Sequence, residues 1–176
     1  MRILGIDPGS NATGYGVVER VGGRLVHVDH GTLRPARGAR LAERLASLHR
    51  DVAALVARHR PDVAAVEEVF VAASARSALV LGQARGAVLA ALGTAAVPVS
   101  EYAARTVKQS VAGSGAADKR QVQGMVRRSL ALEATPAADA ADALAVAICH
   151  AHAARLAGAG VVGRSRRRGP AMRRAR

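Results

Sequence analysis

The chain has 176 residues, one cysteine and a formal net charge of +13, with a sequence pI near 11.6. That length is expected to form one domain with a real core, and a lone Cys149 excludes an internal disulfide and fits a reducing cytoplasm. The apolar start is too short, and too soon interrupted by Asp7, to read as a signal peptide, and no stretch is expected to span a membrane.

The first element is expected at residues 2–7, a buried strand ending in Asp7, the only charged side chain between Arg2 and Glu19. A Pro-Gly-Ser turn follows. Two further β-type runs, 13–21 and 24–33, are joined by Gly22-Gly23, a hairpin signal. From 39 to 59, Leu41, Leu45, Leu48, Val52 and Leu55 recur at helical spacing. Pro61 then breaks the chain before a short strand over 62–69. Residues 75–93 predict a helix apolar on much of its surface, packed on a sheet, and 96–102 a fifth strand. Helices are expected over 103–112, 118–133 and 136–157, with Thr135 capping the last and Pro136 at its first position.

Three strands joined by hairpins, followed by strands alternating with helices, predict an α/β fold with a five-stranded mixed sheet flanked by helices. A right-handed crossover places the fourth strand parallel to and beside the first. Asp7 and a glutamate at 67 or 68 then emerge on one edge, where open α/β sheets bind ligands. Strand alternation puts Glu67 and Glu68 on opposite faces, and the apolar run does not say which one serves the site.

The chain has just 13 acids against 26 lysines and arginines, so acid placement is informative. Asp139 and Asp142, three apart near the start of the last helix, share a face otherwise made of Ala, Leu, Val and Ile. Like charges on an apolar surface are costly unless cations neutralise them. Each acid alone has an ordinary explanation: Asp139 could complement the helix dipole, and a glutamate could merely end a strand. Together, with no matching His or Cys set, they point to hard oxygen-seeking ions. A pair of such ions is a standard device for phosphodiester hydrolysis. His150 lies about 12 Å further along the helix from Asp142, too far to share a metal, and His150 and His152 are expected to be ordinary helix residues.

Only Lys108 and Lys119 are lysines among the 26 basic residues, which suggests positions where a compact point charge is wanted. Residues 163–176, "GRSRRRGPAMRRAR", carry seven of the positive charges and no acid, which leaves +6 on the body. The expected organisation is a domain over 1–158 and an Arg-rich, disordered tail over 159–176. A body still basic without its tail favours a polyanionic partner.

The blocks "ILGIDPGSNATGYGVVE", "VEEVF", "ALVLGQARG", "EYAARTVKQSVAGSGAADKRQVQGMV" and "ADAADALAVAICHAH" together resemble the RuvC family of bacterial Holliday-junction resolvases, in order over roughly 1–155. The resemblance implies a ribonuclease H-like fold and a homodimer that makes two symmetric, metal-dependent nicks in four-way junction DNA. It places the family's catalytic, metal-holding acids on Asp7, Glu67, Asp139 and Asp142, thereby choosing Glu67 over Glu68. It implies Mg²⁺, with Mn²⁺ substituting, two ions per site, and products ending in a 5′-phosphate and a 3′-hydroxyl. Phe70 falls where the family stacks an aromatic on junction bases, and Lys108 and Lys119 fall on backbone-contacting positions. The RuvA–RuvB branch-migration complex is the implied partner.

Ala73 and Ser74 depart from a Lys-Asn pair carried by many relatives, so Arg76 is expected to take over phosphate contact there. The "GIDPGS" turn also resembles the first phosphate loop of sugar-kinase and actin ATPases, but no second such loop occurs. Two rival functions share the same charge pattern: a junction-binding module without cleavage, and a nuclease acting on RNA–DNA hybrids.

Overall fold

The computed structural model describes residues 1–9, 11–68 and 74–158. Phe70, Ala73 and the expected tail over 159–176 lie outside the described residues. In chain order the elements are β1 (Arg2–Asp7), β2 (Thr13–Val21), β3 (Arg24–Leu33), α1 (Leu41–His59), β4 (Val63–Glu68), α2 (Ala75–Thr94), β5 (Val99–Ala103), α3 (Ala104–Ala112), α4 (Lys119–Ser129) and α5 (Ala138–Gly158). The strands form one mixed sheet in the order β3-β2-β1-β4-β5. β1, β2 and β3 are antiparallel neighbours, while β4 runs parallel to both β1 and β5.

Strand alternation sorts the core into two layers. Ile3, Val18, Val63 and Ala65 pack on α3, α4 and α5; Leu4, Ile6, Val17, Ala64 and Val66 pack on α1 and α2. β1 and β4 are buried on both faces, which is why they read as continuous apolar runs.

α5 lies directly on the sheet because small residues let it. A β-carbon on Gly5 would overlap the carbonyl of Ala143, and one on Gly14 the carbonyl of Asp139. Ala140, Ala141, Ala143 and Ala147 supply the matching flat helix face, all of them buried. Small residues in both partners thus bring the start of α5 down onto the end of β1.

Most expected boundaries shift by a residue or two, and at three of them the backbone shows why. β5 starts at Val99, because the amides of Ala95, Ala96 and Val97 all bond back to carbonyls at the end of α2. α4 ends at Ser129, where Leu132 N–H returns to the Arg127 carbonyl and Ala131 turns left-handed at φ +50°. Thr135 does not cap α5: the first helical bond runs from Ala141 N–H to Ala137, and the Pro136 carbonyl instead accepts from Gln123 Nε2 at 3.4 Å.

α2 also departs from a fully packed helix. It is long and apolar enough by composition to cross a membrane, yet its buried residues, Ala84, Val88, Ala91 and Leu92, all lie from its midpoint onward. There it joins the α1 layer, and Arg85 pairs with Glu101 of β5. Residues 75–79 at its start are exposed, with Leu79 69% accessible.

Candidate active site at the carboxyl ends of β1 and β4

Parallel pairing aligns Ile6 with Val66, so the next residues, Asp7 and Glu67, leave their strands side by side. Alternation now separates the two glutamates. Val63, Ala65 and therefore Glu67 face α5, whereas Ala64, Val66 and Glu68 face the α1 layer. Asp7 points the same way as Ile3 and Gly5, toward α5.

Asp7, Glu67 and Asp142 line one cavity together with Lys108 of α3 and Lys119 of α4. Ala104, Val107, Val122 and Ala145 complete the lining between the charged groups. Lys119 Nζ donates to Asp142 Oδ2 at 3.1 Å. Asp139 is not part of that lining; it stands at the start of α5 and accepts from the Arg34 guanidinium at 3.2 Å. Asp7 and Glu67 make no salt bridge or side-chain hydrogen bond among the described residues.

The electrostatic consequence is large. Asp7 is pushed from 3.8 up to about 7, first by burial and then by the charges of Glu67 and Asp142, with Lys119 pulling the other way. Glu67 is raised by burial and by Asp142, and lowered by Lys108 and Lys119. Lys119 is held above its ordinary value by its hydrogen bond to Asp142. Like charges are thus held close in a poorly solvated pocket whose own cations offset them only in part.

Whether these residues fit a metal follows from the donor chemistry. Every acidic donor is a carboxylate oxygen, which suits Mg²⁺ or Mn²⁺ rather than a soft ion. Among the described residues no three His, Cys, Asp or Glu groups close on one point. The lysine on Asp142 and the arginine on Asp139 stand beside two of the acids. Asp7 and Glu67 carry the charge left over, and a divalent cation is the species that would relieve it. The residues fit such an ion.

Arg76 lies outside the cavity, exposed in the first turn of α2. Ser74, one of the two departures from the family loop, caps that helix: its hydroxyl accepts from Ser77 N–H at 3.1 Å. His150 and His152 stand away from the acids as expected, with His150 Nδ1 at 2.8 Å from the Tyr102 hydroxyl and His152 Nδ1 at 3.1 Å from Ser110 Oγ. Sequence reasoning missed Arg34. The signal was topological: Leu33 pairs with Thr13, and Gly14 pairs with Asp7, so the residue after β3 returns to the acid edge.

Known proteins resemble this chain over most of its length. A family model for the crossover junction endodeoxyribonuclease RuvC matches residues 3–150. The RuvC of Geobacter metallireducens is 54% identical over 154 residues, spanning 88% of this chain and 94% of its own. That of Halorhodospira halophila is 57% identical over 152 residues, covering 86% and 90%. Among solved structures, Thermus thermophilus RuvC in complex with a Holliday junction substrate superposes with a TM-score of 0.84 at 38% identity, over 89% of this chain and 96% of that one.

Proposed function

The chain belongs to the RuvC family of crossover junction endodeoxyribonucleases, with a ribonuclease H-like fold, and from that premise we propose that it resolves four-way DNA junctions by hydrolysing phosphodiester bonds at the Asp7–Glu67 edge. The observation that carries the reading is the cavity that Asp7, Glu67 and Asp142 share with Lys108 and Lys119. An acid cluster this poorly compensated is costly to the fold and suits a site that takes in both a cation and a phosphate.

Asp7, Glu67 and Asp142, with Asp139 at the rim, are the residues that would hold Mg²⁺, or Mn²⁺ in its place, and two ions are proposed. Bound there, the metal would lower the pKa of water and neutralise charge gathering on the phosphate. The chain's own groups do the rest. Lys108 and Lys119 attract and orient the phosphate from within the same cavity. In-line hydrolysis would leave a 5′-phosphate and a 3′-hydroxyl.

Paired nicks on opposite strands require two such sites, and a homodimer supplies them. The exposed start of α2 is the surface we assign to that contact. Phe70, which follows β4, is proposed to stack on bases at the opened crossover, and Arg76 to contact backbone nearby. The RuvA–RuvB complex is the proposed source of junctions, in the bacterial cytoplasm.

The test is a synthetic four-way junction incubated with the full chain and Mg²⁺, beside linear duplex and an RNA–DNA hybrid. Symmetric nicks in the junction alone are expected. A junction that is bound and stays intact would refute the nuclease reading, and cleavage of the hybrid in preference to the junction would move the substrate to RNA–DNA.

A further inference from the structure

α4 carries two functional faces, and only one belongs to the acid cavity. Lys119, its first residue, reaches Asp142. The opposite stripe holds Arg120, Gly124, Arg127 and Arg128, spaced i, i+4, i+7 and i+8, while Val122 and Val126 are buried on the side facing the core. Two grooves meet on that stripe at Gly124. One runs between Arg120 and Arg128 and a wall of small residues, Ala112, Ser114 and Ala116; the other passes Arg127 and Arg128 toward Thr135.

None of these three arginines is in an ion pair among the described residues, and α4 contains no acid. Arg127 is held over its groove by a bond from Nε to the Leu132 carbonyl at 3.3 Å. Gly124, like Gly82, Gly86 and Gly93 of α2, leaves its helix face without a side chain. Glycine is the least favourable helix-interior residue after proline, and here nothing inside the molecule requires it: a β-carbon would meet no atom within 4 Å. A helix face left bare beneath guanidinium groups is open to close approach from outside.

We propose that this stripe of α4 carries the sugar–phosphate backbone of a duplex arm running away from the scissile phosphate. Arg120 and Arg128 are separated by about 12 Å of helix, the axial rise of roughly three to four nucleotides of one strand. Because Lys119 and Arg120 are adjacent, the arm track begins where the acid cavity ends. Arginine suits this work, since its planar fork pairs with phosphate oxygens in two-point fashion. The stripe makes no base contact in this scheme; it sets register and affinity. The inference rests on the junction-cleaving reading and assigns a second, noncatalytic DNA surface to it.

The experiment measures junction binding by the full chain in EDTA, so that no strand is cut, across a range of salt. For Arg120→Gln/Arg128→Gln, the slope of log affinity against log salt should fall by about 2, at roughly 0.9 per lost phosphate contact. Affinity should drop about tenfold at fixed salt, and Arg120→Lys/Arg128→Lys should recover most of the slope. Gly124→Leu should weaken binding without lowering the melting temperature. Trimming the arms back to the crossover should erase the difference between wild type and the Gln variant. Equal slopes for wild type and the Gln variant overturn the proposal. A wild type that nicks in Mg²⁺ yet shows equal slopes strikes only the α4 surface, whereas a slope difference without nicking strikes only the catalytic reading.

Discussion

The two ends of α5 rest on the same sheet and are built to different standards. Toward its C-terminal end, each imidazole finds a neutral partner: His150 with Tyr102 of β5, His152 with Ser110 of α3. Burial holds His150 below its ordinary pKa, so it stays uncharged and settled. Toward the N-terminal end, Asp142 joins a pocket that already contains Asp7 and Glu67, and Asp139 stands outside its lining. There the pairing is partial, and Asp7 rises to about 7. One end satisfies itself within the chain; the other leaves Asp7 and Glu67 without a salt bridge among the described residues. That asymmetry is the physical signature of a site as opposed to a core.

Removing one acid strikes hardest at the difference between the two ends. Glu67→Gln or Asp142→Asn should lower junction cleavage at least about a thousandfold, since charge stabilisation at such sites is worth several kcal/mol. Gel-shift affinity should hold or rise, because negative charge near phosphates is lost. His152→Ala at the quiet end should cleave at the wild-type rate.

The next effect is on stability. Asp7 is raised, so folding favours its protonated form; that contribution is complete below pH 4 and is lost as pH climbs through about 7. Its full size is up to about 4 kcal/mol, and the raised Glu67 acts in the same direction. Urea unfolding in EDTA should therefore show stability falling across that window, with Asp7→Asn flattening the fall and saturating Mg²⁺ opposing it. Wild-type and Asp7→Asn profiles of equal slope would contradict a buried, poorly compensated acid pocket.

A smaller effect tests how α5 is seated. Gly14→Ala places a methyl against the Asp139 carbonyl and should cost about 1–3 kcal/mol while also slowing cleavage, because the acids move with the helix. Smallest of all, Tyr102→Phe removes the hydroxyl partner of His150, at about 1 kcal/mol in thermal or urea unfolding, and leaves cleavage unchanged.

Most of this frame is legible from local pattern. An apolar run, two β-type runs and the Gly22-Gly23 turn locate the first three strands, and the crossover rule places the end of the fourth strand beside Asp7. The choice between Glu67 and Glu68 is not legible from an all-apolar strand. It needs the resemblance, and then the sheet, to say which face meets α5. The counter-charges are least visible: Arg34 and Asp139 are 105 residues apart, and no local periodicity records such a pair. Element ends differ where backbone bonding overrides residue preference. Thr135 and Pro136 form an ideal start to a helix, yet the Pro136 carbonyl is engaged by Gln123 and the helix begins later. The exposed start of α2 is hidden for a different reason, since apolar composition looks the same whether a helix face is buried or exposed.

Asp7 is the charge around which a metal-dependent DNA cleavage site is proposed to assemble. The most direct measurement is strand nicking of a synthetic four-way junction in Mg²⁺ by wild type and by Asp7→Asn at matched occupancy of the junction. Symmetric nicks by the wild type and none by the variant, with both proteins binding, are the predicted result. Nicking by Asp7→Asn at the wild-type rate would contradict it.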